Sequence, residues 1–358
     1  MIPRDELTNQ KLLLLTEGRL DVFRAKTACS VLRYRRDDVV ALIDSQAAGQ
    51  STSRILGFGD DVPILASVGE ALKLSPRPTA LLIGIAPSGG RLPETMRHHL
   101  LDALAAGLHV ISGLHTPLND DAELAPLARR NDVHIYDIRQ VPDNLPIARA
   151  RAVTFPVTRV LTVGSDCNIG KMVCAIELSA EMTRRGYRSA FVPTGQTGIL
   201  IAGWGLAIDR TISDFTAGAS EWLVEQVRDF DFAFVEGQGA LDHASFSGVT
   251  MAQVHGTVPD YLVVCHQPGR SVHSSAPTPI KPLGQVIEIA ESVASWVRTD
   301  HVPKVVAVGL NTHGMTPEAA TNAIEATRQE TGLAVFDPIR TGCAEPADRL
   351  IELAGKRT

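Results

Sequence analysis

The sequence predicts an α/β protein of two doubly wound domains, each a mainly parallel sheet covered by helices on both faces. Three observations predict it. Short continuous apolar runs alternate with stretches of helical period from end to end, the pattern of parallel strands buried on both faces. The 358 residues exceed one ordinary core and suit two domains. One stretch, 141–157 (VPDNLPIARARAVTFPV), breaks the alternation with three prolines and two arginines and reads as a linker. The expected domains are therefore 1–145 and 155–358.

In the first half, 11–16 (KLLLLT) reads as a buried strand and 21–34 as a helix. Strands follow at 38–44 (DVVALID) and 79–86 (TALLIGIA), the latter running into a PSGGRLP loop. A helix at 94–106, a strand at 107–113 (GLHVISG), a helix at 120–131 and a strand at 133–137 complete it. This half is Rossmann-like in pattern. Its first strand leads into TEGRLD rather than GxGxxG, so no dinucleotide is indicated there.

The second half repeats the alternation, with strands expected at 159–163, 188–193, 231–236, 261–265, 304–310 and 333–337. Helices are expected at 170–185, 219–228, 283–299, 317–331 and 345–354. Parallel sheets of this kind place ligands at the carboxyl ends of their strands. Most of these strands run into loops rich in Gly, Asp, Thr and His.

The strongest chemical signal is strand RVLTV, then GSDCNIGK, then a helical pattern. A Gly-rich turn between strand and helix aims backbone N–H groups and the positive helix end at a phosphate. This P-loop makes Gly164, Ser165, Asp166, Cys167, Asn168, Ile169, Gly170, Lys171 and Met172 the cofactor-binding candidates, with Lys171 as a mobile charge. Met172 stands where a P-loop hydroxyl normally ligates Mg²⁺, and methionine cannot do so. The pattern favours holding a phosphate over cleaving one, in a domain that is P-loop NTPase-like in architecture.

A second signal is DFDFAFVEGQGALDH, where a strand ends in Glu236 beside Gly237, Gln238 and Gly239. A carboxylate at a strand tip beside a phosphate site suits a general base, and His243 is a candidate to share the task. Third, PTGQTGILIAGWG offers Thr194, Gln196 and Thr197 as neutral hydrogen-bonding groups toward a substrate. Arg270 and Arg340 follow later strands, and their forked guanidinium groups suit carboxylates or phosphates. The His residues lack metal-ligand spacing, so no metal is expected. Cys167 is read as a core-facing thiol rather than a reactive one.

Composition narrows the classes further. A hydrophobic fraction of 44% and a charged fraction of 21% are those of a globular protein. The net charge of −6 argues against a sequence-independent nucleic-acid binder, which needs a basic surface. Five scattered cysteines without CxxC pairing suggest neither a disulfide framework nor zinc, and a reducing cytoplasm is the expected compartment. The start, MIPRDELTNQ, is unlike a signal peptide, and no membrane span is expected. Two α/β domains commonly offer faces for self-association, and a homo-oligomer is expected.

Together GSDCNIGKM, PTGQTGILIAGWG, VEGQGALDHASFSGVT, the HG at His255 and Gly256, and DPIR resemble the DUF1611 family over nearly the whole chain. The second half is more remotely similar to dethiobiotin synthetase. Members of the DUF1611 group are assigned as D-glutamate N-acetyltransferases, so the resemblance implies transfer of an acetyl group from acetyl-CoA to the amine of D-glutamate. In that reading the P-loop holds coenzyme A phosphate, and Glu236 or His243 takes the amine proton. The N–H groups of Gly237, Gln238 and Gly239 receive the oxyanion, while Arg270 and Arg340 bind the two carboxylates of glutamate. Two alternatives stay open at this point. One is an ATP- and Mg²⁺-dependent carboxylate ligase or kinase; the other is a nucleotide- or CoA-binding module without turnover.

Overall fold

The computed structural model describes residues 4–298 and 300–355. Thr299, the expected last residue of one helix, and the final three residues of the expected C-terminal domain lie outside the described residues. The chain divides into two compact units: Met1–Pro142 with Gln196–Arg210, and Asp143–Gly195 with Thr211–Thr358.

The first unit holds strands β1 (Leu12–Leu15), β2 (Val39–Ile43), β3 (Ile64–Leu65), β4 (Ala80–Ile83), β5 (His109–Ser112) and β6 (Ile135–Asp137). All pair in parallel in the order β3-β2-β1-β4-β5-β6, the order of a dinucleotide-binding sheet. Burial explains the unbroken apolar runs: every residue of β1 and β4 is buried. The helices are α1 (Arg4–Thr8), α2 (Lys26–Tyr34), α3 (Thr52–Leu56), α4 (Val68–Ala71), α5 (Glu94–Ala105) and α6 (Leu124–Arg130). Helix α2 begins later than its periodicity suggests, because the Asp21 carboxylate first takes the N–H groups of Phe23 and Arg24 in a turn. The two-residue edge strand β3 is too short to leave a sequence signature.

The second unit opens with β7 (Thr158–Gly164), α7 (Lys171–Arg184) and β8 (Ser189–Val192). After Gly195 the chain leaves it. Residues Gln196–Arg210, including α8 (Gln196–Ala202), belong to the first unit, where Ile199, Leu200 and Ala207 join the apolar core. The Thr197 and Thr27 hydroxyls lie 3.1 Å apart, and Arg35 donates to the Leu200 carbonyl at 2.8 Å. The sequence reads this segment as a glycine-rich loop; its apolar residues form a helix because a partner core receives them.

The chain then returns with α9 (Ser213–Glu225), β9 (Phe232–Val235), α10 (Ser247–Thr257), β10 (Tyr261–His266) and α11 (Leu283–Ser295). It closes with β11 (Lys304–Leu310), α12 (Pro317–Thr331), β12 (Ala334–Phe336) and α13 (Ala344–Gly355). The sheet order is β12-β11-β10-β7-β9-β8, again parallel throughout. Helix α12 shows sequence-encoded ends: Thr316 caps the Ala319 N–H, Pro317 opens the first turn, and Gly332 terminates at φ 67°. No helix among the described residues is long and apolar enough to cross a membrane.

Candidate functional site

In a parallel sheet all carboxyl ends share one edge, so the loops after β7, β8, β9 and β10 meet at the carboxyl edge of the second unit's sheet. The P-loop follows β7. Asn168 at φ 55° and Gly170 at φ 106° take left-handed backbone conformations that let the loop wrap before α7 begins. The first N–H groups of α7 have no intrahelical partner and carry the positive helix end. Ser165 is pinned from β10: its N–H donates to the Cys265 carbonyl at 3.1 Å, and its hydroxyl lies 2.8 Å from His266 Nδ1. Burial, and then the nearby Arg270 cation, hold His266 below the ordinary imidazole range.

Lys171 is buried, and its ammonium has one hydrogen-bond acceptor among the described residues, the Asp166 carbonyl at 2.6 Å. Its other two N–H bonds have no protein acceptor among the described residues. Burial pushes its pKa down from the ordinary lysine value. An oxygen-rich anion placed there would relieve both deficits.

Asp166 organises the next loop. Its carboxylate accepts from Arg270 Nη1 at 2.8 Å, the Ser274 N–H at 2.9 Å and the Ser274 hydroxyl at 3.1 Å, and lies 3.4 Å from His273 Nδ1. Burial alone would raise this carboxyl. The Ser274, Arg270 and Cys167 donors outweigh it and hold Asp166 below the usual carboxylate range. The 267–275 loop after β10 is thereby stitched onto the P-loop.

Glu236 leaves the tip of β9 and is buried. Its Oε2 accepts the Thr194 N–H at 3.0 Å and the Gly195 N–H at 3.1 Å, which fixes the carboxylate's orientation. The backbone around it is clamped. The Glu236 carbonyl accepts from the Thr194 hydroxyl at 2.6 Å and Gln253 Nε2 at 2.7 Å. Gly237 N–H donates to the Thr162 hydroxyl and Gln238 N–H to Gln253 Oε1. These two N–H groups are committed inside the protein, so they are not available to an oxyanion. The glycines answer to packing: a Cβ on Gly237 would stand 1.7 Å from the Thr162 carbonyl oxygen. Gly239, at φ 63°, would place one 2.6 Å from the Phe246 carbonyl oxygen.

His243 is fully buried, and its hydrogen bonds define its tautomer. Nε2–H donates to the Ser274 carbonyl at 2.7 Å, and Nδ1 accepts the Ser245 N–H at 3.1 Å. Neither nitrogen has a spare lone pair, so the ring ties the loop after β9 to the loop after β10. Asp166, Cys167 and His243 bring potential ligand atoms within 4.8 Å of one another, the one such grouping among the described residues. A cation there would have to displace Ser245 or Ser274 from His243.

The remaining expected residues separate. Thr194 lies in the Glu236 clamp. Gln196 and Thr197 belong to the first unit; a Cβ on Gly113 would come 2.0 Å from Gln196 Oε1. Arg270 is occupied by Asp166 and the Cys167 carbonyl, and Arg340 donates to the Met315 carbonyl at 2.7 Å. The sequence reading missed Thr162, Gln253, His273 and Ser274. Their roles are not readable from pattern: Thr162 is a mid-strand residue of RVLTV, His273 closes the CHQPGRSVH run after β10 with no metal-ligand spacing, and Gln253 lies on α10, whose buried face is largely polar.

Residues 146–347 match the DUF1611_C domain of unknown function, a P-loop domain, and residues 45–141 match the DUF1611_N Rossmann-like domain. The crystal structure of a DUF1611 family protein from Anabaena variabilis superposes with a TM-score of 0.91 at 39% identity, covering 96% of this chain and all of that one. The chain belongs to the DUF1611 family. Within that family's range of sequences, a protein of Tritonibacter scottomollicae named D-glutamate N-acetyltransferase is 35% identical over 94% of this chain and 97% of its own length. A protein of the same name from a Pseudoalteromonas species is 34% identical over 77% of this chain and 82% of its own length. The P-loop described above thus lies in the family's C-terminal domain, with Lys171 and Glu236 inside the matched residues.

Proposed function

We propose that this protein is an N-acetyltransferase that moves the acetyl group of acetyl-CoA to the amine of D-glutamate, with the P-loop holding a phosphate of coenzyme A. The observation that carries the phosphate assignment is the buried Lys171 ammonium, which has one protein acceptor among the described residues, at the P-loop's junction with α7. The relatives' names supply the reaction class. Met172 supplies no hydroxyl for Mg²⁺, in keeping with binding rather than hydrolysis.

In this reading Glu236, held by two backbone N–H groups, takes the proton that the acceptor amine loses as its nitrogen attacks the thioester carbon. Collapse of the tetrahedral intermediate breaks the C–S bond, and the proton held by Glu236 passes to the sulfur, which leaves as coenzyme A thiol. With the Gly237 and Gln238 N–H groups committed, the Gly239 N–H is the one left of the three expected oxyanion donors. His243 and Asp166 act as positioning residues that bind the loops together. Arg270 reaches a substrate carboxylate only with the nitrogen atoms not bonded to Asp166. The expected homo-oligomer and cytoplasmic setting remain part of this proposal.

The test mixes purified protein with acetyl-CoA and D-glutamate, without ATP or magnesium, and follows thiol release and product mass. L-glutamate and D-aspartate serve as controls. Thiol release with a mass of N-acetyl-D-glutamate is the expected outcome. Glu236→Gln, which keeps an oxygen for the Thr194 and Gly195 N–H groups, should lower kcat by about 100- to 10,000-fold. Turnover that appears only with ATP and magnesium would instead establish a ligase or kinase, and binding without turnover a CoA-binding module.

A further inference from the structure

A donor that fills the cradle with its diphosphate has a geometric difficulty. Between the outer phosphorus of coenzyme A and its sulfur run about thirteen bonds, or about 16 Å when extended. Glu236 is a near neighbour of the cradle, because Lys171 packs against Gly237, the residue that follows it. One donor molecule can serve both only if its pantetheine arm folds back over the mouth. Folding back requires an apolar surface to receive the gem-dimethyl and methylene groups, since water favours the extended, solvated arm.

Two large apolar side chains are exposed in the loops that ring the cradle. Phe246 is 40% exposed and Val272 is 51% exposed. Isolated exposed apolar residues are ordinary on protein surfaces. These two differ in how firmly they are held. The Phe246 ring lies against His243 with centroids 4.7 Å apart, and its carbonyl accepts from the Thr250 hydroxyl at 3.0 Å. Val272 stands between Arg270 and Ser274, both bonded to the P-loop's Asp166, and forms an antiparallel bridge with Pro279. His243 joins the two loops through its 2.7 Å bond to the Ser274 carbonyl. The backbone is fixed while the side chains are left in water, which is preorganisation for an apolar ligand group.

We propose that Phe246 and Val272 form the subsite for the pantetheine arm, so that the site selects phosphopantetheine thioesters over short acyl phosphates and bare nucleotides. This rests on the acetyltransferase reading above. It assigns to the lip the discrimination that the cradle alone lacks, because ADP, acetyl phosphate and coenzyme A all offer a phosphate.

The experiment compares wild type, Phe246→Ala and Val272→Ser by calorimetric titration with coenzyme A and with ADP, and by turnover with acetyl-CoA and with acetyl phosphate. Wild type is expected to bind coenzyme A at least about tenfold more tightly than ADP, the fold-change of about 1.4 kcal/mol. Each variant should weaken coenzyme A by about three- to tenfold, through lost apolar burial, and leave ADP within about twofold. Both side chains are exposed, and near-ultraviolet circular dichroism will establish that the variants keep the native fold. Equal wild-type affinity for coenzyme A and ADP overturns the subsite, as does parallel weakening of both ligands or equal use of acetyl phosphate. Tight, lip-dependent coenzyme A binding without acetyl transfer to D-glutamate would keep the subsite and reject the reaction, so the two failures are told apart.

Discussion

The carboxyl edges of the two sheets have the same parallel architecture and opposite states of completion. At the edge of the first unit the strand-tip carboxylates are taken up by their neighbours. Asp44 accepts from the Thr16 hydroxyl at 3.0 Å and from the Gln46 N–H at 3.2 Å. Glu17 accepts the Ser45 N–H at 3.0 Å and lies 3.2 Å from His99 Nε2. Asp137 receives the N–H groups of Leu118 and Asn119. The edge of the second unit also ties its carboxylates down, yet it leaves the Lys171 ammonium with one hydrogen-bond acceptor among the described residues, beside the N–H groups that open α7 without an intrahelical partner. The difference teaches that fold class alone does not locate a ligand. A candidate site is better sought where burial leaves a charge short of acceptors.

Four experiments break or sharpen this comparison. The largest effect is expected from Gly237→Ala, whose Cβ would overlap the Thr162 carbonyl oxygen. It should destabilise the second unit by about 3 kcal/mol or more in denaturant unfolding. A loss below about 1 kcal/mol would mean that the clamp around Glu236 is soft. Next, Lys171→Met should abolish measurable binding of coenzyme A and ADP while leaving the unliganded thermal midpoint unchanged or raised. The substitution removes a buried charge that the empty fold does not satisfy. A large drop in midpoint would show instead that Lys171 is structural.

Thr16→Val in the first unit should cost about 1–3 kcal/mol, because Asp44 loses its buried donor. Coenzyme A affinity should remain within about twofold of wild type. A marked loss of affinity would return the first unit to the list of ligand sites. The smallest effect is a pH dependence. The Lys171 pKa is lowered in the folded, empty protein, so between that value and the ordinary 10.5 the unfolded chain carries more protons than the folded one. Stability of the empty protein should therefore rise with pH across that window. Binding an anion restores the charge, so affinity should fall over the same window, with fractional proton uptake. Calorimetry in buffers of different ionisation enthalpy reads that uptake, and proton release would contradict it.

Much of this architecture was legible in the residues. Continuous apolar strands such as 12–15 and 80–83 announced parallel sheets, since only burial on both faces removes the polar alternation. The P-loop was legible because strand, glycine turn and lysine must be consecutive for backbone donors to converge. Five helices were not. Three of them, α1, α3 and α4, span only four or five residues and leave no period to read. In α8 the apolar residues gain their core only in the other unit, and α10 buries Thr250, Gln253 and Thr257, so neither shows an amphipathic stripe.

The sequence by itself determined the doubly wound class, the P-loop from Gly164 to Met172 and a strand-tip acid at Glu236, because each is written in adjacent residues. Tertiary structure alone decided which side chains remain available. It committed His243, Arg340 and two N–H groups of the EGQG turn to internal bonds, moved Gln196 and Thr197 into the first unit, and left Lys171 one hydrogen-bond acceptor among the described residues. Four of these partners lie 15 to 75 positions away in the chain, and no local pattern records whether a donor has already found one.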